Sequence, residues 1–177
     1  MSRIGTPIDA KSGPVNRSGR RLAATIAMGF LAALSAEPAA AQKARITGLT
    51  DVSFGQPANL QIDHVRSQSV CVFSNGPGAR YGVTAAGSGP NGAFQLSSGM
   101  QVLAYEVLWS PEASRNNGNL LQANRLQSSY ASQATHQFCN NGPSTSASLS
   151  VVIRAADLSR AVEGAYSGTL SILISAE

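Results

Sequence analysis

Apolar and polar residues alternate in several segments that follow Gln42, and this period of two restricts the fold more than any other feature. The clearest segments contain Leu60 and Ile62; Leu103, Tyr105, Val107 and Trp109; Leu149, Val151 and Ile153; and Leu170, Ile172 and Ile174. Because successive side chains of a strand point to opposite faces, the alternation predicts strands with one face in a core. Shorter candidate strands are 44 to 54, 68 to 74, 79 to 86, 92 to 97 and 132 to 139, and only 155 to 163 suits a helical turn.

Turn-forming residues separate these candidate strands. They include Asn75-Gly76-Pro77-Gly78, the glycine-rich stretch 87 to 92, Ser98-Gly99, Asn116-Asn117-Gly118 and Asn140-Asn141-Gly142-Pro143. Glycine, proline and asparagine favour the backbone angles of tight turns. About eight short strands with regular turn signals between residues 42 and 177 predict an all-β fold, a single antiparallel β-sandwich.

Residues 1 to 41 differ in composition and are typical of a secretory signal peptide. A cationic region with Arg17, Arg20 and Arg21 precedes the apolar stretch 22 to 34, which is 13 residues long. A bilayer-spanning helix needs about 20 apolar residues, whereas signal peptides use roughly 7 to 15. Small residues at 39 to 41 suit a signal peptidase. We expect cleavage between Ala41 and Gln42, export to the periplasm and then to the cell surface or medium, and no membrane anchor afterwards.

Removal of this segment changes the interpretation of charge. Residues 1 to 41 hold five of the 13 basic and two of the nine acidic residues, so the remainder is almost neutral. Nucleic-acid binding requires clustered basic residues, and after Gln42 the only lysine is Lys43. We therefore expect no nucleic-acid partner.

Cys71 and Cys139 both lie in the exported part. In an oxidising compartment such a pair most simply forms one disulfide, and closing a loop of about 70 residues contributes on the order of 4 kcal/mol. The two histidines, His64 and His136, lack the spacing of a metal site. We expect a Cys71–Cys139 disulfide, with no metal and no cofactor.

Residues with catalytic roles are scarce after Gln42. The acids are Asp51, Asp63, Glu106, Glu112, Asp157, Glu163 and Glu177, and none forms a distinctive spaced pair. The Gly-x-Ser-x-Gly pattern of a nucleophilic serine is missing, and 87 to 92 lacks the Lys-Ser/Thr of a phosphate loop. We predict that the chain is not an enzyme and has no catalytic residues.

Three segments carry a likeness to a known family. They are 71 to 74 (Cys-Val-Phe-Ser) followed by 80 to 84 (Arg-Tyr-Gly-Val-Thr), 103 to 109 (Leu-Ala-Tyr-Glu-Val-Leu-Trp), and 163 to 172 (Glu-Gly-Ala-Tyr-Ser-Gly-Thr-Leu-Ser-Ile). Together they resemble the spore coat protein U domain family, which includes subunits of archaic (Csu-type) chaperone–usher pili. The third segment resembles the closing strand of that family and is the most specific. The likeness spans most of 44 to 177.

The resemblance implies an incomplete immunoglobulin-like sandwich that a donor strand from a neighbouring subunit completes. After the signal peptide (1 to 41), the chain then divides into an N-terminal strand or donor extension (42 to 54) and a sandwich domain (55 to 177). Its apolar donor-strand candidates are Ile46, Leu49, Val52 and Phe54, and its chaperone-facing candidates are Leu170, Ile172 and Ile174. The implied partners are a periplasmic chaperone, an outer-membrane usher and neighbouring pilin subunits.

Two functions are consistent with these features. The first is a structural subunit of a pilus or surface fibre, assembled by donor-strand exchange. The second is a self-contained secreted or periplasmic binding module, such as an adhesin. A third class, a hydrolase, requires a cleft in which acids and a histidine converge.

Overall fold

The computed structural model describes residues 41 to 177, and the predicted signal peptide lies outside the described residues except for Ala41. The described part contains ten strands. They are β1 (Ala44–Thr47), β2 (His64–Ser74), β3 (Arg80–Gly87), β4 (Gln95–Ser98), β5 (Gln101–Ala104), β6 (Glu106–Ser110), β7 (Asn119–Leu120), β8 (Gln127–Ala131), β9 (Ala147–Ile153) and β10 (Leu170–Ala176). One helical turn, α1 (Ala155–Leu158), precedes β10. No helix in this part of the chain is both long and apolar enough to cross a bilayer.

The strands form two main antiparallel sheets and a small hairpin. The larger sheet has the order β1-β2-β9-β6-β7, the second has the order β10-β3-β8, and β4 pairs with β5. Buried apolar side chains of both main sheets meet in one core. The predicted all-β sandwich is confirmed.

Strand β9 lies at the centre of the larger sheet. It pairs with β2 on one side and β6 on the other, and all seven of its residues are buried. Leu149, Val151 and Ile153 point into the core, as their alternation predicted. On the other face, the Ser148 hydroxyl donates to the Glu112 carbonyl and accepts from Arg115 N, so the buried serine is satisfied by the loop that follows β6.

Trp109 and Tyr81 join the two main sheets. Trp109, on β6, is fully buried, and its indole N–H donates to the Tyr81 hydroxyl of β3 at 3.2 Å. The two rings are in edge-to-face contact, with centroids 6.4 Å apart. Burial raises the pKa of Tyr81 to about 12, because the phenolate is costly to desolvate.

Several predicted strand boundaries differ from the structure. The segment 103 to 109 keeps its predicted alternation, with Leu103, Tyr105, Val107 and Trp109 all buried. It is nevertheless divided at Tyr105, because β5 pairs with β4 whereas β6 pairs with β9.

The predicted strand around Leu60 and Ile62 is wrong. Both side chains are about half exposed there, at 44% and 54%, and the Asn59 side chain accepts a bond from Gln61 N in a local turn.

The predicted strand 132 to 139 is also wrong. The third strand of the second sheet is β8, which precedes this segment, and 132 to 139 is a loop. The Ser132 hydroxyl donates to the Val72 carbonyl at 2.6 Å, so the loop turns across β2. This course brings Cys139 to Cys71, and the predicted disulfide between them is present.

The disulfide gives a test of the fold. Replacing both cysteines by alanine is expected to lower the free energy of unfolding by on the order of 4 kcal/mol, because the bond closes a loop with a sequence separation of 68 residues. Urea denaturation of the oxidised chain, the reduced chain and the double variant measures the difference. The reductant should not affect the variant. A loss below about 1 kcal/mol would contradict a stabilising role for this bond.

Candidate functional site: a groove beside an edge strand

An apolar groove of about 1440 Å³ opens beside β10. Its lining includes core side chains of β9 and of the β5–β6 bend, among them Leu149, Val151, Ile153, Leu103 and Tyr105. Leu170 and Ile172 of β10 border it, as do two segments, 49 to 57 and 161 to 169. The groove therefore reaches the interior of the sandwich.

Strand β10 is an edge strand whose outer main-chain groups have no ladder partner among residues 41 to 177. Glu177 N donates to the Arg80 carbonyl directly opposite it, and the register places Ile174 opposite Val83. In an antiparallel pair, hydrogen-bonded positions alternate with positions whose N–H and C=O point away from the partner. The odd-numbered residues of β10 therefore bond to β3. The even-numbered residues point their main-chain groups outward.

The other side of β3 agrees with this assignment. Ser132 N donates to the Ala79 carbonyl, so the odd-numbered residues of β3 bond towards β8 and the even-numbered residues towards β10.

The even-numbered residues of β10 are distinguished by their side chains as well as by their main-chain groups. Leu170, Ile172 and Ile174 pack against the core, whereas Leu173, on the other face, is 66% exposed. The residues that present apolar side chains to the interior thus also present N–H and C=O groups at the sheet edge that have no ladder partner among residues 41 to 177. An extended chain laid along this edge would gain both main-chain hydrogen bonds and apolar burial.

The donor-strand candidates lie on both sides of Gly48, where β1 has ended. Ile46 belongs to β1, which pairs with β2, and it packs against the core. Gly48 has φ +84°, a left-handed angle that suits glycine, and β1 ends just before it. Leu49 and Val52 remain 42% and 37% exposed, whereas Phe54 packs against the core. Only 44 to 47 of the predicted strand 44 to 54 is a strand on its own chain.

Three polar side chains of β2 hold the segment that follows Gly48. Gln68 accepts from Thr50 N at 2.8 Å and donates to the Thr50 carbonyl at 3.1 Å. Arg66 Nε donates to the Ser53 carbonyl at 3.1 Å, and His64 Nε2 donates to the Asn59 carbonyl at 2.6 Å. We call His64, Arg66 and Gln68 the polar row, and residues 49 to 59 the strap.

The polar row lies on the face of β2 that points to the core. Its members have the same parity as the buried Val70 and Val72, and they pair with Ile153, Val151 and Leu149 of β9. This row was not predicted, because the candidate strand began at 68 and left His64 and Arg66 outside it. A signal was present, since the parity of Val70 and Val72 continues into 68, 66 and 64.

An ion-pair cluster fixes the chain just after the strap. Asp63 accepts from Ala155 N at 2.9 Å and from Arg154 at 2.7 Å, and Arg154 also binds Glu106 at the start of β6. The bond from Ala155 N, followed by the bond from Arg154, lowers the pKa of Asp63 from 3.8. The pKa of Arg154 is raised by its bonds to Glu106 and Asp63. The strap is thus held at both ends, by β1 and by this cluster.

The remaining predicted site residues do not line the groove. Ala41 and Gln42 are exposed and precede β1. His136 lies in the disulfide loop, far along the chain from His64 of the polar row. Among residues 41 to 177, no group of three or more His, Cys, Asp or Glu side chains is placed to hold a metal ion.

No family model and no curated protein matches this chain. One similar solved structure is the crystal structure of the CsuC–CsuE chaperone–tip adhesion subunit pre-assembly complex from archaic chaperone–usher Csu pili of Acinetobacter baumannii. The identity is 20% and the TM-score 0.41, with 76% of this chain and 39% of the matched chain covered. This chain thus spans less than half of the matched one. At this identity and TM-score the likeness assigns neither a family nor a function.

The Asp63 cluster predicts a measurable pH dependence. The Asp63 carboxyl should titrate below pH 3.8 in an NMR titration, and Arg154→Met should move the midpoint upward but not fully to 3.8, because the bond from Ala155 N remains. Since the folded-state pKa is lowered, the cluster stabilises the fold above pH 3.8 and loses this effect as the pH falls through the folded-state value. Equal midpoints in the two chains would contradict the assigned ion pair.

Proposed function

We propose that this chain is a structural subunit of an extracellular fibre, in which each copy completes the sandwich of a neighbour by donating an extended segment. The observation that carries the proposal is that the same residues of β10 turn their side chains towards the core and their main-chain groups towards the outer edge. Leu170, Ile172 and Ile174 combine inward apolar side chains with outward main-chain groups beside an open groove. An added strand would meet both kinds of partner along one edge.

The N-terminal segment has a matching pattern. If 44 to 54 were continuous and extended, Ala44, Ile46, Gly48, Thr50, Val52 and Phe54 would share one face, and Arg45, Thr47, Leu49, Asp51 and Ser53 the other. The even-numbered face has only small or apolar residues apart from Thr50. We therefore assign Ile46, Val52 and Phe54 to the groove of the neighbour. Leu49, on the other face, is not assigned to it.

Export and delivery are part of this proposal. A subunit with an open apolar groove is prone to aggregate before assembly. A periplasmic chaperone that pairs with β10 through Leu170, Ile172 and Ile174 would protect it, and an outer-membrane usher would pass it to the growing fibre. Cleavage between Ala41 and Gln42 would place the donor segment at the new N-terminus.

A second candidate is a self-contained secreted binding module. It is favoured by the pairing of β1 with β2 on the same chain and by the packing of Phe54 on its own core. In that case the N-terminal segment would stay in place and the chain would remain a monomer.

Expression of the chain from Gln42, with and without residues 42 to 54, separates the two candidates. The fibre subunit should form SDS-resistant oligomers that heating dissociates. The shortened chain should form none alone, but should bind a synthetic peptide of residues 44 to 54 in an SDS-resistant one-to-one complex. Monomers from both chains, with no peptide bound, would contradict the fibre function and support the binding module.

Matched substitutions test the assigned faces. In the peptide, Val52→Ser should abolish the SDS-resistant complex, whereas Leu49→Ser should preserve it. In the groove, Ile172→Thr should lower peptide binding at least about tenfold through lost apolar burial, and Leu173→Thr, on the exposed face, should not. Circular dichroism checks that each variant is folded. Equal effects from the members of either pair would contradict the assigned orientation.

A further inference from the structure

The strap lies along the same groove that the proposed function assigns to a donated strand. Residues 49 to 57 border the groove, and Phe54 packs against the core. Although Leu103, Tyr105 and Val151 line the groove, they are only 6% to 7% exposed. The chain therefore already covers part of its own groove.

The strap is attached in a way that permits release. No strand ladder includes residues 49 to 59, and the bonds described above join strap main-chain groups to side chains of the polar row. Single side-chain bonds of this kind contribute little net free energy each. Leu49 and Val52 also stay more than a third exposed. The strap thus fits its own groove less completely than an alternating strand would.

We infer that the strap is an intrinsic cap of the groove, held by the polar row, and that an incoming donor strand must displace it. The inference rests on the proposed function. Gly48 is the point at which the segment would change course, because the residues before it are held in a ladder and those after it are not. Self-capping would protect the groove of a free subunit and slow its assembly with other copies.

Gln68→Ala in the monomer fraction of the chain from Gln42 tests this inference, with Gln122→Ala as the matched control. Gln68 makes two bonds to the main chain of Thr50, whereas Gln122 is exposed and does not line the groove. Three quantities are measured: hydrogen exchange of the Thr50 amide, fluorescence of the apolar dye ANS, and the rate at which the 44 to 54 peptide forms an SDS-resistant complex.

The inference predicts that Gln68→Ala accelerates Thr50 exchange and peptide uptake roughly tenfold, because the three hydrogen bonds between Gln68 and Thr50 are lost, and that it raises dye fluorescence. Gln122→Ala should match the unchanged chain. Arg66→Met removes the bond to Ser53 while keeping an aliphatic stem, and it should act in the same direction if Gln68→Ala fails to fold.

The outcomes separate the inference from the proposed function. Unchanged exchange and fluorescence in both polar-row variants would overturn the cap. Faster exchange would also overturn it if every chain takes up the peptide and does so at the same rate. Faster exchange and higher fluorescence with no peptide uptake by any chain would support the cap while rejecting the donated strand.

Discussion

Main-chain groups at the edge of a strand need hydrogen-bond partners. Along the outer edge of β10, these groups lie beside the groove that opens into the core. The inner edge of β10 is bonded to β3, and its outer edge has no ladder partner in the described part of the chain. Most edge strands of soluble proteins are blunted by charge, proline or a bulge. The even-numbered positions of β10 instead carry Leu170, Ile172 and Ile174. The groove follows from this arrangement, since the sandwich is open where a further strand would cover it.

The rest of the structure holds this edge in place. Strand β9 is buried along its full length and supplies part of the apolar lining of the groove, while the Trp109–Tyr81 contact joins the two main sheets. The Cys71–Cys139 bond joins β2 to the loop that follows β8. The Asp63–Arg154–Glu106 cluster joins the residue before β2 to the end of β9 and the start of β6. On the β9 and β10 sides the groove is therefore bordered by strands that are held in hydrogen-bond ladders. It is bordered by a loosely attached segment, the strap, on the β2 side.

The sequence predicted the elements that bury a full alternating face and failed where burial depends on distant partners. Leu149, Val151 and Ile153 were predicted correctly because a strand with one face in a core leaves a clear period of two. Strand β8 was missed because Tyr130 is its only buried residue. The strand predicted around Leu60 and Ile62 was wrong because two alternating apolar residues make too short a pattern. At the site, the apolar face of β10 was predictable. The alternation of Val70 and Val72 indicated the face of the polar row. Its role was not predictable, since its partners are main-chain groups of a segment whose course only the folded chain defines.

The central claim is that the outer edge of β10 accepts a strand, and residue-resolved hydrogen exchange of its amides tests this most directly. In the monomer fraction of the chain from Gln42, separated from any oligomers, the amides of Ser171, Leu173 and Ser175 should exchange slowly and those of Ile172 and Ile174 quickly. With the 44 to 54 peptide in excess, Ile172 and Ile174 should slow by roughly a hundredfold while the odd-numbered amides change little. Protection of Ile172 and Ile174 already in the free monomer, or no change with the peptide, would contradict the account.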